Sequence, residues 1–371
     1  MRFSVERDVF GEAVAWAARI LPARPAIPVL AGLVVEAESD GGLTFSGFDY
    51  EVSGQTTVEA SVEEPGRVLV PGRLLADIAR SLPARPVEVT STGGETVVTC
   101  GSAEFGLLNM PLEDYPQLPR IPPTAGSVAS DTFAAAVAQV VVAASKDDTL
   151  PMLTGVRLDL EGESMRLACT DRYRIAAREL PWAPVKEGFQ AAVVIPARTL
   201  ADVARTLRSS TETQISLVGA GDNLVGLTNG GRETTARLLD DTFIDYRSRF
   251  TAEWDFSVEL TVAPFVEAAK RVALVTERST PLRLAFSADR VVIKAATGDA
   301  ARATEVVDAA LDGDDIDIAV NPHLLLDGLA GINGETVRLA GTGPTRPVII
   351  TESTDDQPDY RYLFMPLRLA T

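Results

Sequence analysis

The sequence predicts an α+β protein of three similar domains, each carrying two helices packed on antiparallel sheets. Three observations predict it. The chain has 371 residues, which suits two or three domains rather than one. One motif recurs at a fixed interval: Asp77, Asp202 and Asp327 lie 125 residues apart, as do Leu75, Leu200 and Leu325. Between the motifs run many short β-rich segments punctuated by Gly, Asp and Asn. A period this long is too large for a solenoid unit and fits a domain.

The elements follow in the same order in each repeat. Val9–Leu21, Thr132–Ala144 and Pro264–Val275 are Ala-rich stretches with helical periodicity. A strand pair comes next: Pro28–Val34 with Leu43–Asp49, then Pro151–Leu158 with Met165–Asp171, then Pro281–Phe286 with Arg290–Lys294. The recurring motif then spans Arg67–Asp77, Ala192–Asp202 and Asp317–Asp327. In each, a β-rich run ends at Pro or Asn-Pro and an amphipathic helix begins. Proline suits that place because its fixed φ fits the first turn and its missing N–H had no intrahelical acceptor. Proline-rich Pro116–Gly126 and polar Ser248–Asp255 read as linkers, giving domains at 1–120, 127–248 and 256–371.

Composition narrows the function. Asp+Glu number 52 against 34 Lys+Arg, a net charge of −18, so contact with a polyanion must be confined to a local basic face. The six helical segments together carry +5, which leaves −23 for the rest; this marks such a face if the helices share one surface, and otherwise reflects only that Arg is a good helix former. The single histidine, His323, excludes multi-His metal sites and occupies the motif slot held by Arg73 and Arg198. Cys100 and Cys169 sit in strand-like runs without metal-ligand spacing and read as buried reduced thiols of a cytosolic protein. The charged Met1–Asp8 segment is not a signal peptide, and no apolar run reaches the ~20 residues of a membrane span. Neither a phosphate-binding loop nor a dinucleotide fingerprint is present. Gly219–Asp222 reads as a turn, and Asp312–Asp317 lacks the spacing of a calcium loop. A β-rich hydrolase using paired carboxylates is the alternative class. A catalytic site should break the repeat with unique polar residues, whereas the breaks here are mostly apolar and near the C-terminus.

Four segments carry a family resemblance: Met1–Arg7, Arg24–Leu30, Thr170–Ala176 and Tyr362–Leu369. On these the chain resembles the bacterial sliding clamps, the β subunits of DNA polymerase III. The resemblance implies a head-to-tail homodimeric ring of six DNA-clamp domains, with twelve helices lining the hole and sheets outside. Twelve helices at ~8–10 Å spacing close a ring whose free bore is at least ~22–28 Å, wide enough for a duplex. It implies a non-enzymatic cytoplasmic hub, without cofactor, metal or membrane contact. Its partners would be double-stranded DNA, held topologically and without sequence preference, and the replicative polymerase, clamp loader and repair proteins, recognised through short Gln/Leu/Phe motifs. A duplicate clamp conferring resistance to a clamp-targeting antibiotic is a variant of the same reading.

The implied sites are specific. DNA would meet Arg24, Arg73, Arg198 and Lys270, unless Arg73 and Arg198 are merely paired with Asp77 and Asp202 one helical turn on. The dimer would form where an edge strand, Cys100–Asn109, faces the partner's third domain, Phe105 and Leu107 meeting Leu274 and Val275. A peptide pocket between the second and third domains would use Leu153, Thr170, Tyr173, Arg174, Ile175 and Ile244. Pro347, Leu363, Phe364, Met365, Pro366, Leu367 and Arg368 would complete it. Phe243-Ile244-Asp245-Tyr246 carries Ile where the family has Pro, and Ala370 and Thr371 extend past the family's terminal Leu. The moved wall at Ile244 is expected to affect rigid cyclic inhibitors more than linear peptides.

Overall fold

The sequence repeat is a repeat of structure. In this computed structural model, residues 1–207, 211–217, 223–240, 242–250, 253–277, 280–297, 300–353 and 358–368 are described. Arg208, Gly219–Asp222, Arg278, Leu369, Ala370 and Thr371 lie outside them. In each repeat an opening strand (Arg2–Val5, Thr124–Ala129, Phe256–Thr261) leads into a first helix. Later a strand ending near the motif proline (Gly66–Pro71, Gln190–Pro196, Ile316–Val320) leads into a second. The helices are α1 (Arg7–Ala17), α2 (Gly72–Ser81), α3 (Ser130–Val141), α4 (Ala197–Ala204), α5 (Val262–Ala273) and α6 (Pro322–Leu329). Pro71 and Pro196 stand at the N-cap positions of α2 and α4. Pro322 opens α6, whose N-cap Asn321 accepts a hydrogen bond from the backbone N–H of His323 at 2.9 Å.

Two expectations are corrected. Pro28–Ala31 and Pro151–Thr154 are 3-10 turns, and the strands start only at Gly32 and Gly155. A Cβ on Gly155 would sit 2.3 Å from Val194 Cγ1, so only glycine lets the strand enter there. The first helix is shorter than its pattern: α1 stops at Ala17 ahead of Pro22 and Pro25, which leaves Arg24 exposed in a loop and not on a helix.

The chain divides into two compact units, Met1–Ser130 with Leu207–Leu238, and Asp131–Thr206 with Leu239–Thr371. The middle repeat gives one half to each, because sheets continue across repeats. In the first unit Arg232–Arg237 pairs antiparallel with Val52–Glu59, Arg232 opposite Thr56, and Ser53 and Thr235 share a buried 2.5 Å hydrogen bond. A second sheet of this unit runs in the order Ser61–Glu64, Arg2–Val5, Val87–Thr92, Glu95–Cys100, Ala103–Leu108. Its inner face meets α1 and α2 in a core containing Phe3, Phe10, Val14, Leu75, Ile78 and Val98.

In the second unit Arg174–Pro181 pairs antiparallel with Tyr360–Phe364, which joins strands of the middle and last repeats into one twelve-stranded sheet. One neighbour of the joint is Ser164–Thr170, followed by Gly155–Glu161; the other is Val348–Glu352. Strand residues alternate between faces. Tyr360 and Tyr362 turn to α6, their hydroxyls donating to the carbonyls of Gly328 (3.3 Å) and Leu324 (2.8 Å). A Cβ on Gly328 would lie 2.4 Å from the Tyr362 ring, so this glycine sets how closely the helix approaches the joint.

Candidate peptide-binding site

The site grows from a turn. Asp171 Oδ1 accepts the backbone N–H groups of Tyr173 (3.0 Å) and Arg174 (3.1 Å). Thr170 Oγ1 accepts the Arg172 N–H at 3.3 Å and donates to the Arg174 carbonyl at 2.7 Å. This holds Arg172 at φ 77°, in the left-handed region that side chains avoid. The first repeat builds the same turn: Asp49 Oδ1 accepts from Glu51 and Val52, and Tyr50 sits at φ 76°. Among the described residues these two are the only non-glycines with positive φ.

In the second unit the turn throws Tyr173 outward, 62% exposed, and folds Arg174 back to a side-chain exposure of 12%. Arg174 Nε donates to Asp171 Oδ2 at 2.9 Å, and Nη1 donates to Asp327 Oδ2 at 2.5 Å and to the Tyr362 hydroxyl at 3.3 Å. Burial works against the guanidinium charge, but Tyr362, Asp327 and Asp171 outweigh it and push its pKa further up. Burial also raises the Tyr362 phenol, so it stays a neutral donor to Leu324.

Asp327 and Tyr362 were missed by sequence reasoning, and a signal for the first was present. In α2 and α4 the recurring aspartate pairs with an arginine three residues on, Asp77 with Arg80 and Asp202 with Arg205. The corresponding residue in the third repeat is Ala330, so Asp327 has no such partner and reaches Arg174 instead. The same pairs answer the question about Arg73 and Arg198: neither is bound to the aspartate one turn on. Arg73 Nη2 donates to the Leu21 carbonyl at 3.1 Å, and Arg198 is exposed on α4. Lys270, on α5, pairs with Glu267 at 3.3 Å.

The C-terminal segment is stitched to the turn. Arg174 pairs with Phe364 and Ile175 with Leu363, and beyond the strand the Met365 N–H donates to the Tyr173 carbonyl at 2.8 Å. The Leu367 N–H donates to the Ala319 carbonyl at 2.7 Å. Leu363 and Ile175 lie on the face opposite α6. There Ile175 packs with Ala168, Val194, Phe243 and Tyr246, and Ile244, which follows Phe243 in the chain, is 37% exposed. Leu153, in its 3-10 turn, and half-buried Pro347, ahead of Val348, flank the same end of the sheet. Met365 is half-buried, Pro366 buried, Leu367 and Arg368 exposed. Phe364 is fully buried on the α6 face beside Tyr362, ring centroids 6.4 Å apart, and so supports the strand without forming an open wall.

The proposed dimer residues divide. Leu107 points into its own core at 2% exposure, and the outward residue of that edge strand is Leu108 at 77%. Phe105 is partly buried against the same core. Leu274, just past α5, is 84% exposed, while half-buried Val275 accepts a hydrogen bond from Thr297 at its carbonyl. Cys100 and Cys169 are buried thiols donating to backbone carbonyls. Among the described residues no group of acidic, His or Cys side chains could hold a metal ion, and no helix is long and apolar enough to cross a membrane.

Three family models match in succession: the DNA polymerase III beta subunit N-terminal domain over residues 1–119, the central domain over 127–245 and the C-terminal domain over 249–368. The chain belongs to this family. The Streptomyces coelicolor beta sliding clamp is 50% identical over 376 residues, covering 100% of both chains. The beta sliding clamp homolog GriR of Streptomyces muensis is 45% identical, covering 99% of each. Among solved structures, the Bacillus subtilis sliding clamp superposes with a TM-score of 0.93 at 25% identity, covering 100% of both. A Pseudomonas aeruginosa clamp bound to griselimycin gives 0.92 at 27% identity, again covering 100% of both. Members are non-catalytic processivity factors of DNA polymerase III, so the carboxylate hydrolase reading is set aside.

Proposed function

We propose that this chain acts in the cytoplasm as a head-to-tail dimeric ring around duplex DNA. It tethers the replicative polymerase, clamp loader and repair proteins through short flexible segments with Gln, Leu and Phe anchors. The carrying observation is the joining of two sequence-distant motifs, Thr170–Ala176 and Tyr362–Arg368, by strand pairing and by the Arg174 network. An incoming segment meets Tyr173 as an exposed flat wall, Ile175, Ile244 and Leu363 as an apolar floor, and Met365 as an adaptable lip. Arg174 Nη2 has no protein acceptor among the described residues, which leaves it to bond a Gln side chain or a backbone carbonyl of the partner. Arg24, Arg73, Arg198 and Lys270 supply sequence-independent phosphate contacts.

The decisive experiment is retention on nicked circular DNA. A topological clamp loaded on the circle stays bound through gel filtration and is lost when the circle is linearised. Equal loss from both forms would refute encirclement.

A further inference from the structure

Beyond the turn, the same sheet face carries a second feature. A cavity of about 330 Å³ is lined by Arg166, Arg178, Arg247 and Arg361, with Tyr246 and Phe250 as apolar walls. Two carboxylates, Glu179 and Asp359, also line it. Three of the arginines are already bridged: Arg166 by Glu161 and Glu179, Arg178 by Asp359, Arg247 by Asp159 and Glu161. Arg361 takes part in no ion pair among the described residues. It also lines an adjoining cavity of about 420 Å³, and so stands where the two meet. The carboxylate already inside reports the local potential. Burial raises the Glu179 pKa, but hydrogen bonds from Arg166 and Ser164 and the charges of Arg166 and Arg361 bring it below the usual carboxylate range.

The cavity is in register with the peptide site. Arg361 pairs with Ala177, and Leu363 pairs with Ile175. Arg361 therefore lies two residues from Leu363 on the same face, about 6–7 Å along the strand. Tyr246 belongs to the cluster that holds Ile175 and also lines the cavity.

We infer that this cavity is a second subsite that takes an acidic side chain of the partner segment, carboxylate or phosphorylated, on Arg361. The inference rests on the peptide-site reading above. An acidic residue a few positions from the apolar anchors reaches Arg361 while the anchors stay on Ile175 and Leu363. Partners bearing acidic flanks would then be favoured over partners with the same anchors and neutral flanks.

The test uses the full chain and synthetic peptides with Gln, Leu and Phe anchors, extended at either end by three Asp, by phosphoserine or by three Ser. Fluorescence anisotropy is expected to show one acidic extension binding about three- to tenfold tighter than its Ser counterpart at low salt, with the gain shrinking at high salt. Arg361→Gln should abolish the gain and leave the Ser-extended peptides unaffected, and Arg361→Lys should keep most of it. Equal affinities for acidic and Ser extensions at both ends, or a gain that persists in Arg361→Gln, would overturn the inference. A gain with phosphoserine alone assigns the subsite to phosphorylated partners, and a gain with Asp to carboxylates. In a second arm, tri-aspartate without anchors is titrated while the Arg361 Nε–Hε resonance is followed. Should no anchored peptide bind at all, the peptide-site reading fails, and this arm decides the cavity alone. A saturable shift upholds it, and no shift removes it.

Discussion

Arg174 ties the candidate site together, and its energetics can be tested residue by residue. Its substitution by Ala would leave Asp171, Asp327 and the Tyr362 hydroxyl short of a partner in a partly buried place, at a cost of about 1–3 kcal/mol. Thermal unfolding of Arg174→Ala should therefore shift down, and binding of a Gln/Leu/Phe peptide should weaken at least tenfold. A subtler variant isolates the positioning. In the first two repeats an arginine three residues on holds the recurring aspartate, and in the third that residue is the exposed Ala330. Ala330→Arg should draw Asp327 away from Arg174 and lower peptide affinity several-fold, with stability changed by no more than ~0.5 kcal/mol. Unchanged affinity would show that Asp327 does not position Arg174. The Arg174 side of the site was legible in Thr170–Ala176, but its partner was visible only as a missing arginine in a repeat. Tyr362 gave no such signal, because the strand pairing that brings it over spans nearly two hundred residues.

At the scale of elements, the fold was legible where the chain alternates or repeats and less so where it bends. Both motif helices and first helices appeared at their expected places. Their ends did not: prolines past α1 stop it early, and Arg24 moves into a loop. Along the Ala103–Leu108 strand Leu107 enters the core and Leu108 the surface, because one step along a strand exchanges the faces. Two elements of the site make separable predictions. Deleting Met365–Thr371 removes the bonds to Tyr173 and Ala319 but leaves the Tyr360–Phe364 strand in its sheet. Peptide binding should disappear while sedimentation still reports a dimer. A peptide that binds the shortened chain as tightly as the full one would sink the assignment. Residues 243–250 are held differently, by Arg247 on Asp159 and Glu161 and by the Tyr246 hydroxyl on Asp159 at 2.8 Å. Hydrogen bonds from Arg247 and Arg166 hold the Glu161 pKa below its ordinary value. A depressed carboxylate adds stability that is present above the unfolded pKa, roughly 4.3, and lost as pH falls through the folded value. Hydrogen exchange at residues 243–250 should therefore accelerate, relative to the intrinsic rate, below about pH 4.

For the whole molecule, the question is what closes the ring. The Ala103–Leu108 strand is the end strand of its sheet, and an unprotected edge with an outward leucine is an open invitation to pairing. Leu108 and Leu274 are the two most exposed large hydrophobic residues described, at 77% and 84%, and they belong to different compact units. A head-to-tail contact would bring one protomer's first repeat against its partner's third and cover both. Removing each from water is worth up to about 1.5–3 kcal/mol per side chain. Because a two-protomer ring has two such contacts, one substitution weakens both. Leu274→Asp should convert the dimer to a folded monomer in sedimentation at micromolar concentration, with its melting transition retained because this side chain is 84% exposed in its own unit. Leu108→Asp should do the same, and Leu107→Asp should instead unfold the first unit, whose core it enters. Monomeric Leu274→Asp should still bind the Gln/Leu/Phe peptide, since every residue of that site lies in one unit of one chain, yet should not be retained on nicked circular DNA. A Leu274→Asp protein that remains dimeric would move the contact elsewhere, and one that is monomeric yet held on the circle would refute encirclement as the source of processivity.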